Sequence, residues 1–222
     1  MTQSVRLIAY TEPKIDDVVS VEEFIAYCAR VSNPANQNNS LTAPKLLKYL
    51  VKHKHWSPFE MAHVVLEINT TRDIGRQILR HRSFSFQEFS QRYAEVSSDM
   101  FTTREARLQD NKNRQNSIVI EDENIPLKND WLVKQREVLK KSQEAYDWAI
   151  SAGIAKEQAR SVLPEGLTLS RMYMSGSLRS WIHYCLLRME PGTQKEHREI
   201  AQMCWKELLK IFPSLGELTT EN

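Results

Sequence analysis

The chain has 222 residues, 41% hydrophobic and 26% charged with only 6 Gly and 8 Pro, a composition that excludes disordered, collagen-like and low-complexity classes. Its 30 basic and 28 acidic side chains leave a net charge of +2, so any affinity for anions must be local, and neither nucleic-acid nor membrane partners are expected. Three cysteines, Cys28, Cys185 and Cys204, are odd in number and form no C-x-x-C pair, which argues against a disulfide framework or zinc ribbon and fits a reducing cytoplasm, while no apolar run approaches the ~20 residues that span a bilayer and the start lacks an apolar targeting stretch.

Val5 to Tyr10 is a short apolar run and reads as a strand buried on both faces. Ser20 and Glu23 make a capping-box pair that opens a helix carrying Phe24, Ile25, Cys28 and Ala29, stopped by Asn33-Pro34. After a polar loop, Thr42 is read as the cap of a second helix with Leu46, Leu47, Leu50 and Val51 on its apolar face. His63 to Thr70 alternates, placing Val64, Leu66 and Ile68 on the one buried face of a strand. Thr70 to Asp73 resembles a further capping box, opening a helix with Ile74, Ile78 and Leu79 inward and Arg72, Arg76 and Arg80 stacked on its polar face.

From Ala94 to about residue 129 the chain is polar and reads as a long excursion from one domain spanning 1–222. A long helix is expected over 131–152, stopped by Gly153, then a shorter one ended by Pro164. A strand over LTLSRMYM, a helix over 177–189 and a final amphipathic helix from about Gln194 to Phe212 complete the reading. Trp131, Trp148, Trp181 and Trp205 occupy apolar helical positions and are expected in the core. Strands and helices do not alternate regularly and no G-x-G-x-x-G or Walker turn is present, so the fold class is α+β, mixed helices with a small antiparallel sheet, rather than a Rossmann or P-loop fold.

The chemistry concentrates between Arg72 and Arg92, where five arginines and His81 face only Asp73 and Glu88. Guanidinium is a rigid donor fork that keeps its charge, and two of them flanking an imidazole suit phosphates or a heteroaromatic ring. His81 between Arg80 and Arg82 is expected to resist protonation. The pattern His53, His55, His63 lacks the carboxylate spacing of a metalloenzyme helix, and no metal is expected there. His63 reads as a packed or capping residue. A single-stranded nucleic-acid-binding module, using Arg72 to Arg92 with Phe84, Phe86, Phe89 and Tyr93 as stacking groups, is the alternative reading.

Arg80-His81-Arg82, seven residues, then Ser90, is the R-H-R-x7-S signature, and the chain resembles the flavin-dependent thymidylate synthases. Further matches are Ala29-Arg30-Val31-Ser32, His55-Trp56-Ser57-Pro58-Phe59-Glu60, Arg76-Gln77, Arg160-Ser161-Val162-Leu163-Pro164 and Leu178-Arg179-Ser180-Trp181-Ile182-His183 with Leu187-Arg188, followed by Gln194 and Glu196. The resemblance implies that family's fold and an enzyme making dTMP from dUMP, with methylenetetrahydrofolate as carbon donor, FAD as carrier and NADPH as reductant, in a cytoplasmic homotetramer whose active sites lie at subunit interfaces. It implies a nucleotide site of Gln77, Arg80, Glu88, Ser90, Gln91, Arg92, Arg160 and Arg188. The implied flavin site is Ser32, His55, Ser57, Arg80, His81, Arg82, Glu88, Ser177, Arg179 and His183. Gln91 and His183 depart from the Gly and Asn of some members. Arg188 is the candidate catalytic residue, because a fixed cation beside the uracil N3 and carbonyl favours the ionised ring. No cysteine is expected to act as nucleophile.

Overall fold

The computed structural model describes residues 3–120 and 125–219; Met1 and Thr2, residues 121–124 of the polar stretch and the last three residues lie outside them. Its centre is a four-stranded antiparallel sheet in the order β1 (Ser4–Tyr10), β2 (His63–Thr71), β6 (Leu169–Ser177), β3 (Ser85–Glu88). Two rows of side chains on one face form the floor of the core. Leu7, Leu66, Met174 and Phe86 lie in register across the four strands, as do Val5, Ile68 and Met172. Against this floor pack α6 (Leu178–Arg188), through Trp181, Ile182 and Cys185, and α7 (Lys195–Ile211), through Ile200, Ala201, Cys204 and Leu208. Helices α1 (Val21–Ala29) and α2 (Ala43–Lys52) add Ile25 and Leu47 to the same core. The α+β expectation with a small antiparallel sheet is met.

β1 is not buried on both faces. It is an edge strand paired only to β2, with Val5 and Leu7 half-buried and Ile8 and Tyr10 exposed, because no layer covers its outer side. β2, by contrast, is covered on both faces from Glu67 onward, since Glu67, Asn69 and Thr71 of the polar row are also buried. Ser20 caps α1 as expected, accepting from Glu23 N at 3.2 Å, but the Glu23 carboxylate turns to Val19 N at 2.8 Å. Thr70, the expected start of a capping box, lies within β2 and accepts from Gln3 at 3.0 Å, so the cap position falls to Thr71; neither Thr42 nor Thr71 caps a helix with its side chain. Each accepts an arginine bond instead, Thr42 from Arg30 at 2.7 Å and Thr71 from Arg104 at 2.5 Å, since a guanidinium is the stronger donor.

Within the polar stretch, β4 (Arg107–Gln109) and β5 (Ser117–Val119) form a hairpin. Helix α4 begins earlier than expected, running Ile125–Ser151, and ends where Gly153 takes φ +78, a left-handed conformation that favours glycine. Tyr146 and Ala149 of α4 join Val96, Ala159 of the short α5 (Lys156–Ala159) and Leu163 in a second apolar cluster. Trp181 and Trp205 are core residues, whereas Trp131 and Trp148 are 45% and 67% exposed. One face of α4 suffices for that small cluster, so its other apolar positions remain outside.

Candidate active site

β2 runs directly into α3 (Arg72–Ile78), and the Arg80-His81-Arg82 trio follows in the turn that leads to β3. The expected stack of three cations is relieved by carboxylates from elsewhere. Arg72 lies 3.3 Å from Glu88 and 3.6 Å from Glu165, and Arg76 lies 3.5 and 3.4 Å from the same two residues. Ser170 donates to Glu88 at 2.9 Å, so Glu88 is a half-buried counter-ion within this chain. Arg80 and Arg82, past the helix end, are exposed and have no ion pair among the described residues.

His81 is held from two sides. Arg188, the last residue of α6, donates from Nε to His81 Nε2 at 2.9 Å, and Tyr184 meets the imidazole edge-on at 4.8 Å. Burial and then the Arg188 charge lower the His81 pKa to about 4. The neutral His81 expected from the sequence is therefore present, but its cause is burial and Arg188 rather than its two neighbours. Arg188 makes no ion pair with Glu190. The loop beyond His81 is pinned by Phe84, whose ring stacks edge-on against Trp181 at 4.8 Å and lies over Gly176 of β6, where an added Cβ would come within 2.4 Å of it.

The nucleotide residues implied by the resemblance fall into two groups. Gln77 and Arg188 flank the His81 region, with Gln77 bonded to His197 and Gln194. Glu88 and Ser90 line a cavity of about 580 Å³ beside β3, and the Ser90 hydroxyl accepts from Arg92 N at 3.3 Å. Gln91 and Arg160 line an adjoining pocket of about 330 Å³ with Arg72 and Arg76. There Gln91 Nε2 is buried without a partner among the described residues, while Arg92 is exposed and lies 3.5 Å from Glu157. An orphaned amide donor among guanidiniums is a setting for an anion.

Of the flavin residues implied by the resemblance, Ser177, Arg179 and His183 lie toward the opposite end of α6, while Arg80, His81 and Arg82 lie at the Arg188 end. Ser177 caps the helix, accepting from Ser180 N at 3.3 Å, and Arg179 reaches Glu60 at 2.7 Å. Hydrogen bonds from Ser177 and then Arg179 hold the Glu60 carboxyl below its usual range. His183 is exposed and stacks edge-on to Trp56 at 4.5 Å, with burial and then Arg179 lowering its pKa. Ser57 opens the turn behind Trp56, while His55 and Ser32 are exposed on the α1–α2 side, and no hydrogen bond or ion pair among the described residues joins them to Arg80 or Arg82. Arg179 and Arg188 are nine positions apart on one helix, so ~14 Å of axial rise separates the two groups.

His53 and His55 pack around Tyr49, His63 is exposed at the start of β2, and no cluster of three metal-ligating side chains occurs among the described residues. Cys185 and Cys204 are fully buried and Cys28 partly so; burial raises all three thiol pKa values. The alternative of a nucleic-acid surface loses its material, because Arg72 is buried in ion pairs and Phe84 is in the core. Sequence reasoning missed His197, Tyr184 and the Arg104 and Arg107 pair. Their one visible signal is a histidine at an apolar position of α7.

Residues 6–214 match the family described as thymidylate synthase complementing protein. The probable flavin-dependent thymidylate synthase of Paramecium bursaria Chlorella virus 1 is 50% identical over 216 residues, covering 96% of this chain and 97% of that protein. The flavin-dependent thymidylate synthase of Synechocystis sp. is also 50% identical with the same coverage. A crystal structure of the UMP/dUMP methylase PolB from Streptomyces cacaoi, bound with 5-Br dUMP, shares the fold at TM-score 0.82 and 24% identity, over 97% of this chain and 93% of that one. With its signature arginines open to solvent around a neutral His81, and with half of its residues shared with such relatives along nearly its whole length, the chain belongs to the family of flavin-dependent thymidylate synthases.

Proposed function

We propose that this protein methylates dUMP to dTMP, with methylenetetrahydrofolate as carbon donor, FAD as carrier and NADPH as reductant. The observation that carries the reading is the Arg80-His81-Arg82 trio: two open guanidiniums flank a neutral imidazole whose ring is fixed by Arg188. The donor set fits FAD. Arg80, Arg82 and Arg179 supply cations for a pyrophosphate, while Trp56, His183 and His81 offer ring faces and edges for flat heteroaromatic groups. Ser32, His55, Ser57, Glu88 and Ser177 complete the proposed flavin set. FAD supplies one-carbon and hydride transfer when bound.

The chain's own share is binding and charge. Arg80, Ser90, Arg92 and Arg160 hold the nucleotide phosphate, with the orphaned Gln91 amide as a further donor and Gln77 and Glu88 completing the set. Arg188 sits beside the uracil and stabilises negative charge developing on its N3 and carbonyl, which makes C5 nucleophilic. Arg188 can do this because its Nε is committed to His81, so its remaining N–H groups keep one orientation. The ~14 Å between the two ends of α6 supports assembly of each site from more than one copy of the chain, as a homotetramer. Among the described residues no helix is long and apolar enough to cross a membrane, and three unpaired thiols support a reducing, cytoplasmic setting.

The test is titration of purified protein with FAD, followed by an assay for dTMP from dUMP. Turnover should require FAD, methylenetetrahydrofolate and NADPH together. Folded protein that neither binds FAD in calorimetry nor forms dTMP after reconstitution rules the reading out.

A further inference from the structure

Five side chains form one hydrogen-bonded chain from α6 across α3 to the start of α7. Tyr184 Oη lies 3.1 Å from His197 Nε2, and His197 Nδ1 lies 3.2 Å from Gln77 Oε1. Gln77 Nε2 donates to Gln194 Oε1 at 2.8 Å, and Gln194 Nε2 donates to Glu196 Oε2 at 3.0 Å. Each amide has a donor end and an acceptor end and can be turned round, and the imidazole has two neutral tautomers, so such a chain has two possible polarities.

Glu196 removes the choice. Its Oε1 lies 2.5 Å from Arg107 Nη2 and its Oε2 3.6 Å from Arg104 Nη1. Burial opposes its ionisation, but these two arginines outweigh burial and hold the carboxyl below its usual range. An ionised carboxylate only accepts, so Gln194 must face it with the amide NH2 and offer its oxygen to Gln77. Gln77 must then turn its own NH2 toward Gln194 and its oxygen toward His197. The ring proton of His197 is thereby placed on Nδ1, and Nε2 accepts from the Tyr184 hydroxyl.

His197 is fully buried on the apolar stripe of α7 that also carries Ile200, Ala201 and Cys204. An unbonded imidazole there would be costly, and both of its nitrogens are used. The second N–H of Gln77 Nε2 has no acceptor among the described residues. A fixed donor at that point suits the carbonyl and phosphate oxygens of dUMP, all of which are acceptors; a turned amide would present a repelling oxygen.

We propose that His197 is a positioning residue for nucleotide binding: it holds the oxygen of Gln77 inward, so that the amide presents its free N–H to dUMP. The proposal rests on the placement of Gln77 in the nucleotide site under the function proposed above.

The test uses the FAD-loaded protein and reads dUMP affinity by calorimetry beside thermal stability. His197→Leu, which keeps the volume, should remain folded and FAD-bound yet bind dUMP about tenfold more weakly, and adding Gln77→Ala should cause little further loss. A second pair separates orientation from stability. His197→Asn places an NH2 near the former Nδ1 and should stay within about threefold of the original affinity, although Tyr184 loses its partner. His197→Gln reaches instead toward Tyr184 and should behave like His197→Leu. Unchanged affinity in folded His197→Leu, losses that multiply in the double variant, or Asn and Gln variants whose affinities simply follow their stabilities would overturn the proposal. If His197→Leu does not fold, the comparison of Asn with Gln decides. Failure of the unsubstituted, FAD-loaded protein to bind dUMP would instead overturn the function itself, and the positioning role with it.

Discussion

Arg188 Nε donates to His81 Nε2 at 2.9 Å, joining the last residue of α6 to the centre of the signature turn across 107 positions of sequence. The bond requires an unprotonated Nε2, so the ring proton lies on Nδ1 and His81 stays neutral beside a fixed cation. It also limits how Arg188 can be replaced. A lysine has charge but no Nε–H with two further N–H groups in the same plane.

Arg188→Ala should therefore lower turnover by about 10²–10³, and Arg188→Lys should recover little of it. FAD binding, which is proposed to rest on Arg80, Arg82, Arg179 and the residues around Trp56 besides His81, should survive in both. Steady-state rates and FAD titration of the two variants check this; near-normal turnover in the alanine variant would remove Arg188 from its role.

Acid should weaken the fold before any carboxylate is titrated. His81 and His197 have pKa values of about 4 and about 3 in the folded chain, lowered by burial and Arg188, with His81 a further cause at His197. An unfolded histidine titrates near ~6.5, so below that pH the unfolded chain binds more protons, and stability complete above it falls as pH drops toward 4. Glu67 and Glu196, whose pKa values are lowered, add their own loss only below ~4.5. Calorimetry at constant ionic strength should show Tm decreasing from pH 7 to pH 5, and less steeply in His197→Leu. A flat profile over that range would contradict a neutral His81 and a neutral His197.

Gly176→Ala should destabilise the protein by about 1–3 kcal/mol, because its Cβ would overlap the Phe84 ring against a packed strand. Phe84 lies two residues past Arg82, so the displacement should also weaken FAD binding. Thermal melts and FAD titration measure both effects; the unchanged control is Gly192→Ala, whose added Cβ meets nothing within 4 Å.

The triple variant Cys28→Ala, Cys185→Ala, Cys204→Ala should retain FAD-dependent dTMP formation within about tenfold, with some loss of Tm from core cavities at positions 185 and 204. Burial raises the pKa of every thiol, the reverse of what a thiolate nucleophile needs. A folded, FAD- and dUMP-binding variant that forms no dTMP would restore a thiol mechanism.

Local pattern made much of the architecture legible. The Ser20 cap, the alternation of Val64, Leu66 and Ile68, the Gly153 stop and the stripe of Trp181, Ile182 and Cys185 each depend on spacing within a few residues, and each is found. The same holds for the signature, since Arg80 to Ser90 lie on one short turn and strand. Thr42 and Thr70 were misread as caps because competing donors came from Arg30 and Gln3 and because Thr70 is still part of β2, and no local pattern marks a distant donor.

By itself the sequence determined the fold class, most helices and inner strands, and the residue types of the site, because apolar periodicity and backbone caps act over a few residues. Only the tertiary structure decided that β1 is a half-exposed edge, that Trp131 and Trp148 lie outside the core, that Glu88 neutralises Arg72 and Arg76, and that Glu196 orients Gln77 through Gln194. Burial of a given face depends on which layer covers it. The partner of a buried charge is whichever opposite charge the fold brings within about 4 Å, and spacing along the sequence does not mark which group that is.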